Sequence, residues 1–177
     1  ALCRVSKVTT LFQIDCVGNL NLSGYNETTV LNSLSTVTAY GGDEKHLCAL
    51  DGQTLKCAPL VYYSAAIKTP ARAITGARLV AVADNTACVV TTRGLQCYDQ
   101  NGEVKVATHP NWKSAEKLVG KNHAVCALFK SGELECDTVD GRTSFMTSLP
   151  TAFRTSVSDF VLAVDHVCAL KSDATVA

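Results

Sequence analysis

Cysteine is the residue whose number and spacing most clearly point to chemistry in this chain. The 177 residues include nine cysteines, and cysteine thiols form disulfides, bind zinc or act as nucleophiles. Eight or nine residues lie between the members of three pairs: Cys48 and Cys57, Cys88 and Cys97, and Cys126 and Cys136. Zinc sites usually place about two to four residues between neighbouring ligands. The spacing therefore predicts three disulfides, with buried reduced thiols as the alternative.

Catalytic motifs are absent from the sequence. It contains no Gly-x-Ser-x-Gly nucleophile elbow, no glycine-rich phosphate loop and no His-Glu-x-x-His zinc motif. The regular pairing leaves at most one cysteine free to act as a nucleophile, and catalysis would need an activated thiol. We therefore expect a protein that is not an enzyme and that uses no cofactor and no metal.

The paired cysteines belong to an internal repeat of about 40 residues. The first cysteine of each unit stands at position 48, 88, 126 or 168, so the steps are 40, 38 and 42. An apolar stretch precedes each of these cysteines. In the first three units a turn and a Leu-x-Cys segment follow. Short stretches rich in Val, Leu and Thr, punctuated by Gly, Asp, Asn and Ser, are typical of β-strands.

A 40-residue repeat built from strands predicts an all-β fold, a β-propeller. The apolar residues do not recur at the i, i+3 and i+4 positions that a helical repeat would show. The N-terminal residues add a unit whose first cysteine is Cys16. The prediction is one domain over residues 1–177, a five-bladed propeller with units at 8–33, 34–73, 74–115, 116–156, and 157–177 together with 1–7.

Each complete unit is expected to contain a tight hairpin. A turn centred on Gly52 and Gln53 sets Cys48 directly opposite Cys57, and the other two pairs follow the same arithmetic. Gly94 and Gly132 fall just past the turn centres, where a positive φ is often needed. Directly opposed cysteines of this kind can form cross-strand disulfides.

The two ends of the chain are expected to close the ring. The last unit has Cys168 but no second cysteine before Ala177, while the N-terminal strand offers Cys3. A Cys3–Cys168 disulfide would join the terminal strands and leave Cys16 unpaired. The alternative pairs Cys3 with Cys16 and Cys168 with a residue beyond position 177, in which case the chain is a fragment of a longer propeller.

Three histidines recur near the start of the hairpins. His46 and His166 stand two residues before the first cysteine of their unit, and His123 stands one residue further away. A ring of imidazoles could hold a metal, but it would need matching register in every unit. We therefore expect these side chains to form hydrogen bonds with the backbone between blades.

The hairpin unit resembles a known repeat. The pattern His-x-Cys-Ala-Leu occurs at His46–Leu50 and His166–Leu170, and a turn followed by Leu-x-Cys completes it at Leu55–Cys57. This unit is similar to the repeat of the regulator-of-chromosome-condensation family in its secreted, cysteine-bearing form. The resemblance implies a β-propeller. Five-bladed propeller lectins are a second, looser architectural resemblance.

The net charge and the expected cellular compartment limit the classes of molecule that this protein can bind. Sixteen basic residues balance sixteen acidic ones, whereas nucleic-acid binders and proteins that hold anionic lipid need excess positive charge. No apolar run approaches the roughly 18 residues that span a bilayer. The cysteine count favours a secreted protein, and Asn21 and Asn26 begin N-glycosylation triplets. We expect an extracellular partner, no nucleic acid and no membrane insertion.

The loops after each second cysteine differ most between units. They cover residues 58–73, 98–112 and 137–153, and variable loops on a rigid scaffold commonly carry binding function. Because these loops are unequal in length and content, a protein partner is the leading prediction and a glycan the alternative. For the single tryptophan, core packing is an equally good interpretation. The candidate binding residues are Tyr62, Tyr63, Tyr98, His109, Trp112 and Arg142.

Overall fold

The protein is all-β in the residues that the structure describes. The computed structural model describes residues 2–8, 11–17, 34, 36–60, 65–104, 109–139, 149–163 and 166–177. Besides the strands there are a 3₁₀ helix, Pro110–Ser114, and one turn of α-helix, Thr151–Arg154. The strands are β1 (Leu2–Val8), β2 (Leu11–Val17), β3 (Val37–Gly42), β4 (His46–Asp51), β5 (Thr54–Pro59), β6 (Leu79–Ala83), β7 (Thr86–Thr91), β8 (Gly94–Asp99), β9 (Gly102–Val104), β10 (Ala115–Lys121), β11 (Ala124–Phe129), β12 (Leu134–Thr138), β13 (Val157–Leu162) and β14 (Val167–Lys171).

These strands form antiparallel, blade-like sheets in chain order. Strands β3, β4 and β5 form blade A, and β1 and β2 extend the same sheet through a pairing of Phe12 with Val37. Blade B contains β6 to β9, blade C contains β10 to β12, and blade D contains β13 and β14. Sequential neighbours pair throughout, as the repeat predicts for hairpin-built units.

The hairpin register agrees with the cysteine arithmetic. Cys48 is the direct partner of Cys57 on β4 and β5, and equivalent pairings occur in blades B and C. All three predicted disulfides are present: Cys48–Cys57, Cys88–Cys97 and Cys126–Cys136. Gly94 and Gly132 have φ angles of 108° and 77°, a region that residues with a Cβ rarely adopt.

The first strands of blades A, B and C lie side by side with very little space between their backbones. A Cβ on Gly41 of β3 would lie 2.4 Å from the carbonyl oxygen of Val80 on β6, and a Cβ on Gly120 of β10 would lie 2.3 Å from that of Val82. Only glycine permits such an approach. Strand β6 therefore sits between β3 and β10.

Successive blades bury an apolar layer between them. Between blades A and B, Leu50 belongs to the same buried cluster as Val80 and Val82. Corresponding clusters join blade B to C and blade C to D. Strands β7 and β11 are buried at all six positions, because each middle strand packs against a neighbouring blade on both faces.

The ends of the chain differ from the predicted closure. Strand β1 pairs with β2, so that Cys3 is the register partner of Cys16, and Cys168 has a free, exposed thiol. Residues 175–177 run along the outer edge of β14, where Ala169 and Ala177 exchange backbone hydrogen bonds. The predicted Cys3–Cys168 disulfide is therefore wrong, because that edge is already paired and β1 has another partner.

Several predicted features fall outside the residues that the structure describes. The glycosylation triplets at Asn21 and Asn26 fall outside the described residues, as does most of the predicted unit 8–33. Within the residues described, no helix is long and apolar enough to cross a membrane.

Candidate functional site

Three turns, one from each of blades A, B and C, form a polar surface that we call the rim. Each turn joins the first strand of its blade to the second, and the turns cover residues 43–45, 84–85 and 122–123. Asp84 and Asn122 both have a φ of 53°, a left-handed conformation that Asp and Asn tolerate better than most residues.

The blade A turn is ordered by the side chain of Asp43. Its Oδ1 accepts hydrogen bonds from the backbone N–H groups of Lys45 at 2.8 Å and His46 at 2.7 Å. A carboxylate that satisfies two successive amides is a local substitute for a backbone turn. The turn therefore presents Glu44 and Lys45 in a defined orientation.

Charged side chains link the three turns across the blade boundaries. Lys45 Nζ lies 2.5 Å from Asp84 Oδ1, and His123 Nδ1 lies 3.9 Å from Asp84 Oδ2. Lys121 forms an ion pair with Glu44, which connects blade C to blade A. The hydrogen bond to Asp84 raises the pKa of Lys45, and the hydrogen bond from Lys121 lowers the pKa of Glu44.

The predicted backbone hydrogen bond is present at His46. Its ring is completely buried and its Nε2 lies 2.9 Å from the carbonyl oxygen of Ala65. Because a carbonyl can only accept, Nε2 carries the proton. Nδ1 has no hydrogen-bond partner among the described residues, and the nearest carboxylate oxygen, Asp43 Oδ1, lies 4.0 Å from it. His166 is exposed, and the ring of His123 lies beside Asp84. The described residues contain no group of three His, Cys, Asp or Glu residues that could hold a metal ion.

Two of the inter-blade loops leave their blades at the rim. The N–H of Leu60, directly after β5, donates to the carbonyl of Lys45 at 2.6 Å, and the N–H of Val139, directly after β12, donates to that of His123 at 2.9 Å. Two of the loops predicted to bind a partner therefore begin next to the rim turns. The candidate residues Tyr62, Tyr63 and Arg142 follow in these loops and lie outside the described residues.

The other candidate binding residues lie between or within blades. Trp112 is 0% exposed, and its indole Nε1 donates a hydrogen bond to Glu135 at 2.7 Å. His109 stacks on the Trp112 ring, and its Nε2 lies 2.6 Å from Asp137 Oδ2. Tyr98 is 6% exposed. His109 and Trp112 fasten the segment before β10 to blade C, and Tyr98 packs in the cluster between blades A and B.

A polar cleft lies beside Trp112, at the opposite ends of the strands from the rim. It has a volume of about 330 Å³ and lies between the 3₁₀ helix and the turn from β11 to β12. Its lining carries charges of both signs from Lys113, Lys130, Glu133 and Glu135. The carboxylate of Glu135 accepts the hydrogen bond from the Trp112 indole.

The sequence itself matches no family model, and no curated protein matches it. Similarity to solved structures is found at the level of fold. The CRINKLY WD40 ectodomain of the Arabidopsis thaliana receptor kinase ACR4 superposes with a TM-score of 0.59 at 17% identity, over 83% of this chain and 60% of that chain. Prp20p from Saccharomyces cerevisiae gives a TM-score of 0.55 at 13% identity, over 82% of this chain and 46% of the other.

A third match is to the structure of Kap60 bound to yeast RCC1 (Prp20), with a TM-score of 0.53 at 9% identity over 81% of this chain and 43% of that one. This chain therefore spans between about two fifths and three fifths of the length of these structures. Identities this low show the fold alone. The chain has antiparallel, blade-like sheets with propeller proteins as structural neighbours, and the resemblance to the regulator-of-chromosome-condensation repeat is supported as a likeness of fold.

Proposed function

We propose that this chain is a secreted, disulfide-stabilised module that binds a protein partner through the rim and the loops that leave it. The observation that carries the proposal is the convergence of three turns, from three blades, on one polar surface. Loops on a rigid scaffold are common binding elements. The proposal includes a propeller of five blades.

The chemistry of the rim favours a protein over a glycan. It presents both charge signs in fixed positions, with Glu44, Lys45 and Lys121 each partly or mostly exposed. Alternating charges on a pre-organised surface select a partner of complementary pattern and speed its association. A lectin built from repeated blades should carry equivalent polar and aromatic groups in several units, and the three rim turns differ in composition.

The scaffold and the neighbours support the same proposal. Three short-range disulfides suit an oxidising compartment. Prp20p is named with binding properties toward Gsp1p and histones, and yeast RCC1 is named in a complex with Kap60. Propellers of this shape thus serve as protein-binding scaffolds. The partners named here are those of Prp20p and yeast RCC1.

A charge exchange across the Glu44–Lys121 pair tests the proposal. Glu44→Lys alone breaks the pair, whereas Glu44→Lys combined with Lys121→Glu restores an ion pair with opposite polarity. We expect both variants to lose a partner that is captured by the wild-type protein from its native extracellular fluid and identified by mass spectrometry. The exchange should leave the melting temperature close to the wild-type value.

Lys130→Glu is the matched control, because Lys130 lies in the cleft at the other end of the strands. It should capture the partner as the wild type does. Retention of the partner by the charge-exchanged protein, or its loss in Lys130→Glu alone, would remove the rim from the binding surface. Specific binding on a glycan array, without a protein partner, would favour the lectin alternative.

A further inference from the structure

The tight turn between β8 and β9 contains the only Asn-Gly pair in the sequence, Asn101 and Gly102. In such a pair the backbone nitrogen of the glycine can attack the side-chain amide carbon of the asparagine, and a succinimide ring forms. A residue without a Cβ offers the least steric hindrance to this attack. Hydrolysis of the ring then leaves a carboxylate where the chain had an uncharged amide.

The turn leaves the reacting groups accessible. Asn101 is exposed, and Gly102 is partly buried. Gly102 has a φ of 117°, and the nearest described atom to a Cβ added there is Lys68 Cδ, at 3.9 Å. The space beside the Gly102 backbone is therefore open for ring closure.

The carboxylate of Asp99 contacts both nitrogens that take part in this reaction. Its Oδ1 accepts a hydrogen bond from the N–H of Gly102, the attacking nitrogen, at 3.1 Å. Its Oδ2 accepts a hydrogen bond from Nδ2 of Asn101, the leaving nitrogen, at 3.3 Å. A carboxylate within hydrogen-bond distance of both nitrogens can take a proton from one and return it to the other.

The hairpin holds Asp99 in this position. Asp99 and Gly102 are register partners at the ends of β8 and β9, and Asp99 Oδ1 also accepts a hydrogen bond from the backbone N–H of Asn101 at 2.6 Å. The carbonyl of Asp99 accepts a further hydrogen bond from the N–H of Lys68 at 2.8 Å. A catalytic group that is already in place avoids the entropy cost that the same group bears in a flexible peptide.

We propose that Asn101 is a site of self-catalysed deamidation, in which Asp99 acts first as the base and then as the acid. The nitrogen of Gly102 bonds to Cγ of Asn101 while its proton passes to Asp99. The Cγ–Nδ2 bond then breaks, Asp99 returns the proton to the departing nitrogen, and ammonia leaves. Water opens the ring at either carbonyl and gives aspartate or isoaspartate.

The product changes the charge of a surface that the sequence assigns to binding. Asn101 lies within the loop 98–112, one of the loops predicted to meet a partner. Conversion of its amide to a carboxylate places a second negative charge next to Asp99, and like charges this close repel one another. The modification therefore alters this loop without the action of any other protein.

Incubation of the folded protein in water enriched in heavy oxygen measures the reaction, because each ring that opens during the incubation takes up the label. After reduction and alkylation, trypsin releases the peptide 94–105. Mass spectrometry then quantifies the label and the isoaspartate at position 101 against a sample taken at the start. Synthetic peptides of residues 94–105 are incubated in parallel.

Asp99→Asn is the test variant, because its amide oxygen still accepts hydrogen bonds but is a far weaker base than a carboxylate. Asp99→Ser, whose hydroxyl also suits a turn, gives a second measurement, and thermal unfolding checks that each variant folds. Glu103→Gln is the matched control, because it removes the same charge from the exposed residue directly after Gly102.

We expect the folded Asp99→Asn and Asp99→Ser proteins to form labelled product at least about tenfold more slowly than the wild type, and Glu103→Gln to react at the wild-type rate. In the synthetic peptides, Asp99→Asn should change the rate little, because no fold holds the carboxylate in place. Absence of the reaction in the wild type, an unchanged or higher rate in the folded Asp99 variants, or an equal effect of Asp99→Asn in protein and peptide would overturn the proposal.

Discussion

At the scale of single residues, two buried aromatic rings fasten segments that cross between blades. His46 uses its Nε2 to hold the carbonyl of Ala65, and Trp112 uses its Nε1 to hold the carboxylate of Glu135. Both rings are completely buried, and a buried ring N–H group is costly unless it finds an acceptor. Each ring therefore contributes both apolar packing and a directed polar contact to a blade boundary.

Replacement of Trp112 by phenylalanine should lower the free energy of unfolding by about 2–3 kcal/mol. The change removes the Nε1 hydrogen bond and leaves space where the indole was. Equilibrium urea unfolding measures the loss. Glu135→Gln is the matched control, because the amide keeps an oxygen that accepts the same hydrogen bond, and its cost should stay below about 1 kcal/mol.

The Trp112 experiment also separates packing from binding. A Trp112→Phe protein with unchanged stability but impaired partner capture would show that the ring meets the partner. That result would contradict the structural role that its complete burial indicates.

At the scale of elements, the short distance between neighbouring blades limits which residues the first strand of a blade can contain. Strands β3 and β10 each approach β6 through a glycine, Gly41 and Gly120, whose missing side chain allows the contact. A glycine inside a strand otherwise weakens it. Here a glycine is needed, because the backbones of neighbouring strands approach too closely for a side chain to fit between them.

Gly120→Ala should destabilise the protein by about 3 kcal/mol or more, because the new Cβ would lie 2.3 Å from the backbone oxygen of Val82. Gly52→Ala is the comparison. Gly52 has no atom within 4 Å of its added Cβ, so only its φ of 62° opposes the change, at a cost of about 1 kcal/mol. Thermal unfolding of the two variants measures the difference. Equal costs would contradict the close packing of β6 and β10.

The sequence predicts the elements better than their connections. Repeated Cys-Ala-Leu and Leu-x-Cys segments are sufficient to place the strands and the opposition of Cys48 to Cys57, because hairpin register follows from turn length. The closure between Cys3 and Cys168 was wrong because terminal pairing depends on which edges are already filled. Residues 175–177 fill the edge of β14 through backbone hydrogen bonds, which leave no signal in side-chain pattern.

The site was predicted only in part for a similar reason. The loops were identified by their variability, but the rim beside them depends on ion pairs between residues far apart in the chain, such as Glu44 with Lys121 and Lys45 with Asp84. Single charged residues in turns resemble ordinary solvated positions until the blades are placed side by side. Aromatic residues in the same loops suggest binding, yet Trp112 is in the core.

At the scale of the whole molecule, stability comes from repetition of one interface. Apolar clusters join blade A to B, B to C and C to D, so each apolar interface lies between blades that are neighbours in sequence, as in other repeat architectures. A disulfide closes a loop of about ten residues in each of the first three blades and contributes about 2–3 kcal/mol by the chain-entropy model. This arrangement holds the rim turns in fixed relative positions.

Peptide mapping without reduction tests this account most directly, because trypsin cuts inside each hairpin. Lys56, Arg93 and Lys130 lie between the bonded cysteines, so each disulfide alone should join two peptides after digestion of alkylated native protein. The account predicts three linked pairs, 46–56 with 57–68, 79–93 with 94–105, and 122–130 with 131–142, and an alkylated thiol at Cys168 in peptide 155–171. Recovery of the six paired cysteines as free thiols, or linkage between cysteines of different blades, would contradict it.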